Sequence, residues 1–200
     1  MSGKAAAPAF KYQPKTDPAA DRRVARTRAA LRKAFNSLFF ERGYDNFGVA
    51  DIAARADVGR STFYEHFASK QALLTASVAP LLEPLAAAGV ADEVDPKLAW
   101  VVEHFWENRR NVATMAHTGA WTAMGQVLAE MIEPRLTRSL KPRRNRPVLP
   151  APLAASLLAR AQLGLVEAWI AGHKRCSAAV LAQALHATTR ATEAALASGA

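Results

Sequence analysis

The stretch VADIAARADVGRSTFYEHF (49–67) constrains the fold more than any other part of the chain. Val49, Ile52, Ala53 and Ala56 fall at helical spacing, and so do Phe63 and Phe67, four residues apart. Each set marks one buried face of a short helix. Between them, DVG at 57–59 is a tight turn. Neither helix is long enough to stand alone in water, so both must pack on a third element.

That element is supplied just upstream. From Asp21 a helical pattern begins, with Leu31, Ala34, Phe35, Leu38 and Phe39 on one face. Gly43 is expected to end it in a left-handed C-cap. Gly48 is the expected N-cap of the second helix, and the third runs from Arg60 to about Phe67. Ser69 is expected to cap a fourth, from Lys70 through Leu82, which Pro80 and Pro84 should bend or end.

The rest of the chain is helical as well. After Gly89, DEVDP (92–96) reads as an acidic connector, with Pro96 opening a helix whose inner stripe is Leu98, Val101, Val102 and Phe105. A short helix is expected within 108–120. Trp121, Met124, Leu128, Met131 and Leu136 mark a longer one, kinked at Pro134. KPRRNRPVLP (141–150) is a basic, proline-punctuated loop, followed by helices at about 151–172 and 177–197. The expected fold class is all-α, with about nine helices, no strand and no internal repeat. Ala and Leu dominate over β-branched residues, which fits.

Three units are expected: a basic tail over 1–20, a small helical head over 21–70 and a body over 71–200. The tail carries Pro8, Pro14 and Pro18, and reads either as plain disorder or as an arm that touches DNA. The formal net charge is +9. Residues 1–70 hold 13 Lys/Arg against 7 Asp/Glu, and the rest hold 13 against 10, so the first third carries +6 of the excess. Such a balance points to an anionic partner such as nucleic acid.

Short helix, turn, short helix is the helix-turn-helix pattern, in which the second helix enters the DNA major groove. Phe63 and Phe67 would anchor that helix, leaving Arg60, Ser61, Tyr64 and His66 to point elsewhere. Arginines 22, 23, 26 and 28 would add salt-sensitive affinity, or simply form a solvated face.

TRAALRKAFNSLFFERGYDNFGVADIAARADVGRSTFYEHFASKQALL (27–74) resembles the N-terminal domain of the TetR family of transcriptional regulators. LFFERGYD, VADIAARADV, STFYEHF and SKQALL occur in the family's order and spacing. The resemblance implies a homodimer with a three-helix DNA-binding head and a body that binds small molecules. It maps the recognition helix onto Arg60–Phe67. Arg60, Ser61 and Thr62 become candidates for base or nearby phosphate contacts, and Tyr64 and His66 for the DNA backbone. Lys70 and Thr27 match phosphate-binding positions. At Phe47–Gly48 the chain departs from the hydroxyl residues usual in the family, leaving the Gly48 backbone N–H as the available phosphate donor. Thr62 also reads as facing the interior or capping locally.

In the body, Trp100, His104, Met115, His117, Trp121, Met124 and Trp169 are candidate ligand contacts, with core filling as the plain alternative for each. Trp121 with Met115, Met124 and His117 is the preferred cluster, suited to a hydrophobic effector, aromatic ones included. The expected partners are double-stranded DNA with a palindrome-like operator, a small-molecule effector and a second copy through the last two helices. Those helices carry Ala154, Ala155, Leu158, Ala161, Leu165, Ala168 and Trp169, then Val180, Leu181, Ala184, Leu185 and Thr188. No HExxH, Walker or nucleophile-elbow pattern occurs, so no cofactor, metal or catalytic activity is expected. The sole cysteine, Cys176, is either inert or, beside the cations of HKRC, reactive. A single cysteine and the lack of a long uninterrupted apolar run lead to an expectation of a cytoplasmic protein that spans no membrane.

Overall fold

The computed structural model describes residues 18–90, 92–116, 118–140, 149–172 and 175–198. Most of the N-terminal tail, His117, His173 and the loop at 141–148 lie outside the described residues. Among the described residues there are nine α-helices, one 3₁₀ turn and no strand. The helices are α1 (Pro18–Arg42), α2 (Val49–Arg55), α3 (Arg60–His66), α4 (Lys70–Ala86), α5 (Pro96–Glu107), α6 (Arg109–Ala116), α7 (Gly119–Leu140), α8 (Ala151–Ala171) and α9 (Ala178–Ser198). The 3₁₀ turn, Tyr44–Asn46, joins α1 to α2.

Two hydrophobic clusters organise the chain. The first is aromatic. Phe35, Phe39 and Phe47 meet with Phe63 and Phe67 beneath α1 to α3. Phe35 lies tilted to Phe39 and edge-on to Phe47 at centroid distances of 5.7 and 5.6 Å. The second cluster is mainly aliphatic, with Phe105 and Trp169 among its members, and fills the body between α4, α5, α7, α8 and α9. They are not separate cores. Leu73 and Leu74 of α4 and Ala120 and Ala123 of α7 all belong to the head's cluster. The body thus reaches into the head through two helices.

Several local expectations shift. α1 begins at Pro18 rather than Asp21, because proline in the first turn forfeits no intrahelical hydrogen bond. Gly43 follows α1 with φ 75° and ψ 154°, which is not a left-handed cap but a region that only glycine occupies readily. Among the described residues, the one non-glycine residue with positive φ is Asp57, at 54°. The turn before α3 therefore takes its left-handed residue from an aspartate, a side chain that tolerates this region, and Gly59 is extended. α4 runs through Pro80 and Pro84, so neither proline ends it, and α7 runs through Pro134. In α4 the burial of Leu82, Pro84 and Leu85 outweighs the hydrogen bonds that the prolines forfeit. Ser69 caps α4 as expected, its Oγ accepting from the Ala72 amide at 3.0 Å. Asp95 caps α5 by accepting from the Lys97 amide at 2.9 Å.

α8 also amends the membrane expectation. It is long and apolar enough to cross a bilayer by length and composition, with a mean hydropathy of 1.3 over its best window. Arg160, Gln162 and Glu167 interrupt any pure apolar run, which is why the sequence reading passed over it. Its buried face lies in the bundle. There Gln162 donates to the Leu85 carbonyl and to Thr189 Oγ1 at 3.1 and 3.0 Å.

Gly43→Ala is expected to destabilise the chain by about 1–3 kcal/mol, because alanine cannot adopt this backbone without strain. Thermal unfolding followed by circular dichroism should show Tm lowered by roughly 3–10 °C.

Candidate nucleic-acid interface

α3 has two unlike sides. Phe63 is fully buried and Phe67, just past the helix end, is 4% exposed. Arg60, Ser61 and Glu65 are exposed, and Tyr64 is exposed by 52% while its ring stays edge-on to Phe63 at 5.5 Å. Thr62 and His66 are half-buried. One face holds the helix to the head and the other presents a cation, a hydroxyl and a phenol to solvent.

α1 fixes the far end of α3. The Arg28 guanidinium lies 4.6 Å from the Phe67 ring centroid and donates to the His66 carbonyl at 3.4 Å. This bond satisfies one carbonyl left open at the helix C-terminus, where a cation is favoured by the helix dipole. Thr27 turns back along α1, its hydroxyl donating to the Arg23 carbonyl at 3.1 Å.

Two further ion pairs lock α2. Arg55 makes a bidentate contact with Glu41, both bonds at 2.8 Å, and also donates to Ser37 Oγ at 2.7 Å. The hydrogen bonds from Arg55 and then Ser37 hold the Glu41 carboxyl down at about 2. Asp51 accepts from the Gly48 amide at 2.8 Å, its carboxyl held low first by that bond, and pairs with Arg42 at 3.3 Å. The Gly48 N–H expected at a phosphate is thus occupied by Asp51, because an acidic third residue of a helix reaches back to the N-cap amide. Nothing in the local sequence but the D-at-51 spacing could have signalled this.

Lys70 is half-buried at the start of α4 and turns its side chain toward the 3₁₀ turn. Its ammonium donates to the Tyr44 carbonyl at 2.8 Å and the Phe47 carbonyl at 2.9 Å. It also lies 4.1 and 5.0 Å from the ring centroids of those two residues. Burial lowers its pKa, with Asp45 opposing the shift. Tyr44 in turn donates to Gln71 Oε1 at 2.8 Å. Asp45 faces the other way. It accepts the Gly119 amide at 3.3 Å, so a head residue caps the first turn of α7. A Cβ at 119 would sit 2.9 Å from both carboxylate oxygens, so glycine is what permits this approach. Sequence reasoning missed Glu41, Asp45 and Arg55, and read Arg28 only as part of a charged face, because their partners are distant in the chain.

The candidate ligand residues are dispersed. His104, Met115 and Met124 line a cavity between head and body. Trp121 lines a separate groove of about 220 Å³ between α7 and α8, with Arg160 and Glu167. Trp100 is 62% exposed and stacks on His104 at 5.5 Å. Trp169 is buried, packs against Trp106 at 5.4 Å and donates from Nε1 to the Cys176 carbonyl at 3.0 Å. Among the described residues no group of three or more His, Cys, Asp or Glu could hold a metal ion.

A helix-turn-helix head fused to a helical body is the architecture of a one-chain DNA-binding protein. Residues 31–76 match the family of bacterial regulatory proteins called the tetR family. A stretch of 84 residues is 38% identical to an uncharacterised HTH-type transcriptional regulator, YxbF, of Bacillus subtilis (strain 168). That match takes in 40% of this chain and spans 22% of the relative's length. Two solved structures share the fold. A TetR transcriptional regulator from Streptococcus agalactiae 2603V superposes with a TM-score of 0.53 and 24% identity, over 86% of this chain and 97% of that one. A TetR-family regulator from Streptomyces coelicolor A3 gives 0.55 and 22%, over 85% and 96%. Residues 31–76 thus carry the N-terminal domain of the tetR family, and the solved structures show that the whole chain has the same all-α fold.

Because the folded pKa of Glu41 lies below its ordinary 4.5, its stabilising contribution is present above about 4.5 and is lost as pH falls through about 2. Glu41→Gln should therefore lower Tm at neutral pH, and the gap from the unaltered protein should close across that window. The pair is solvent-exposed, so added salt should also narrow the gap. Melting curves from pH 7 downward, at low and high salt, check this.

Proposed function

We propose that the chain is a cytoplasmic transcriptional regulator, a repressor that leaves its operator when a small hydrophobic ligand binds the body. The residues 1–20, 21–70 and 71–200 then serve as tail, DNA-binding head and effector-binding and dimerisation body. The observation that carries the reading is α3. Its apolar side is anchored by Phe63 and Phe67, while Arg60, Ser61 and Tyr64 face outward. A single helix held this way fits a major groove, and its first residues are those that meet base edges. Arg60 is the principal base-reading candidate, with Ser61 and Thr62 beside it. Tyr64 and His66 take the backbone. Lys70 and Gly48 act on DNA mainly through the loop they shape. The function is binding, not catalysis: relatives of this family are regulators, and control by a partner protein is the alternative route to the same switch.

The operator would be read by a dimer. The residues expected at the interface fall on two sides. Ala154, Ala155, Leu158, Trp169, Leu181 and Leu185 are buried in the monomer's own core. The outward stripe of α8 is Leu153, Leu157, Ala161, Gly164 and Ala168, with Leu153 and Leu157 exposed by 55% and 45%. On α9 it includes Val180, Ala187 and Ala191. Small residues beside leucine let two such helix pairs approach closely as a four-helix bundle. A second copy is the occupant that fits, and two-fold symmetry would give a palindrome-like operator.

Selection from random DNA should yield a palindrome-like site. Arg60→Ala should weaken binding to it by about 1–3 kcal/mol and relax preference at one position per half-site, while Tyr64→Ala should weaken binding evenly across sequences. Recovery of no preferred sequence would remove the reading. Leu157→Arg, on the exposed stripe, should leave the monomer folded and weaken self-association at least about tenfold in sedimentation experiments.

A further inference from the structure

A cavity of about 350 Å³ opens at the seam between head and body. α1 forms one wall through Phe35, Phe39 and, at the mouth, the exposed Phe40. α4, α5, α6 and α7 form the others. Phe35, Leu74, Phe105 and Met124 line its interior and are at most 3% exposed. Ser77 lines it too, and its hydroxyl is buried with no hydrogen-bond partner. Buried hydroxyls are normally paired, so this one is a donor and acceptor in want of a ligand atom. The amides of Asn108 and Asn111 and the imidazole of His104 lie around the same space. Among the described residues no Lys, Arg, Asp or Glu lines it, so an ionised guest would lose its hydration with no fixed carboxylate, ammonium or guanidinium in return.

We infer that this seam cavity, with Ser77 as its polar anchor, binds an uncharged aromatic molecule of one or two rings that carries a hydroxyl. The inference rests on the regulator reading for its consequence at DNA. Because α1 is a wall of the site, a guest touches the DNA-binding head directly. The same helix holds α3 by Arg28, over Phe67 and on the His66 carbonyl. An occupant sets the spacing of α1 against α4 and α5, and α1 carries that spacing along its length to α3. DNA affinity then shifts by as much as the ligand distinguishes the two spacings.

The test uses the full chain and 1-naphthol, with naphthalene-1-carboxylate as a charged probe of similar shape. Calorimetry should show 1-naphthol binding below about 1 mM and the carboxylate binding at least about tenfold more weakly. Ser77→Ala should weaken 1-naphthol roughly three- to tenfold. Val112→Trp, which fills the cavity, should abolish binding, and Arg160→Ala in the separate α7–α8 groove should leave it unchanged. The Ser77→Ala result decides the matter even if Val112→Trp does not fold. Saturating 1-naphthol should change affinity for the selected operator at least about fivefold. No binding by the unaltered chain, equal binding of both probes, indifference to Ser77→Ala or loss with Arg160→Ala overturns the site. Binding without any change at DNA overturns the coupling through α1. Operator binding measured without probe separates the readings. If it is absent while 1-naphthol binds, the regulator reading falls and the cavity stands; if it is present while no probe binds, the cavity inference alone falls.

Discussion

The Lys70 ammonium, held between the Tyr44 and Phe47 carbonyls and over their rings, is the contact on which the head's geometry turns. A turn this short leaves carbonyls that no helix satisfies, and a half-buried cation with two acceptors meets that need. By fixing Tyr44–Asn46 it sets the entry of α2, whose first amide is taken by Asp51. It also sets Asp45 against the first turn of α7. One lysine at the start of α4 thus connects the DNA-facing elements to the body.

The outer surface of the head is selected by what is already spent. Arg28, Arg42 and Arg55 have partners within the domain, and their charge is partly used in holding α1, α2 and α3 together. Arg60 and Tyr64 stand outward on α3. Basic composition alone therefore overstates the interface. The arginines that look alike in sequence divide into clamps and candidate readers once their neighbours are known.

The body joins the head by shared packing rather than by a hinge segment. Ala120 and Ala123 of α7 lie in the aromatic cluster, and small side chains there let α7 come close to the head. The seam leaves a cavity where Phe35 and Phe39 meet α4, α5 and α7. The coupling inferred between α1 and the body helices would run through these contacts, because close-packed elements shift between discrete arrangements and do not deform smoothly.

The local helices were legible in the chain because apolar spacing, Ser69 and Pro96 are short-range signals whose physics is complete within one or two turns. Phe63 and Phe67 as anchors, with Arg60 and Tyr64 on the other side of α3, could be read the same way. That α4 continues past Pro84 could not, since burial supplied from other elements outweighs a local penalty. Nor could the fate of Lys70 and the Gly48 amide, because a charged or polar group goes wherever the fold leaves acceptors and donors unpaired. The candidate ligand residues scattered for a related reason: each aromatic or thioether is apolar at any site, and only packing decides whether it lines a cavity, a groove or the core. Sequence by itself determined the helices and the sidedness of α3. Tertiary structure alone decided which cations are clamps, which helix faces look outward and where space is left between head and body, since these depend on residues brought together from distant parts of the chain.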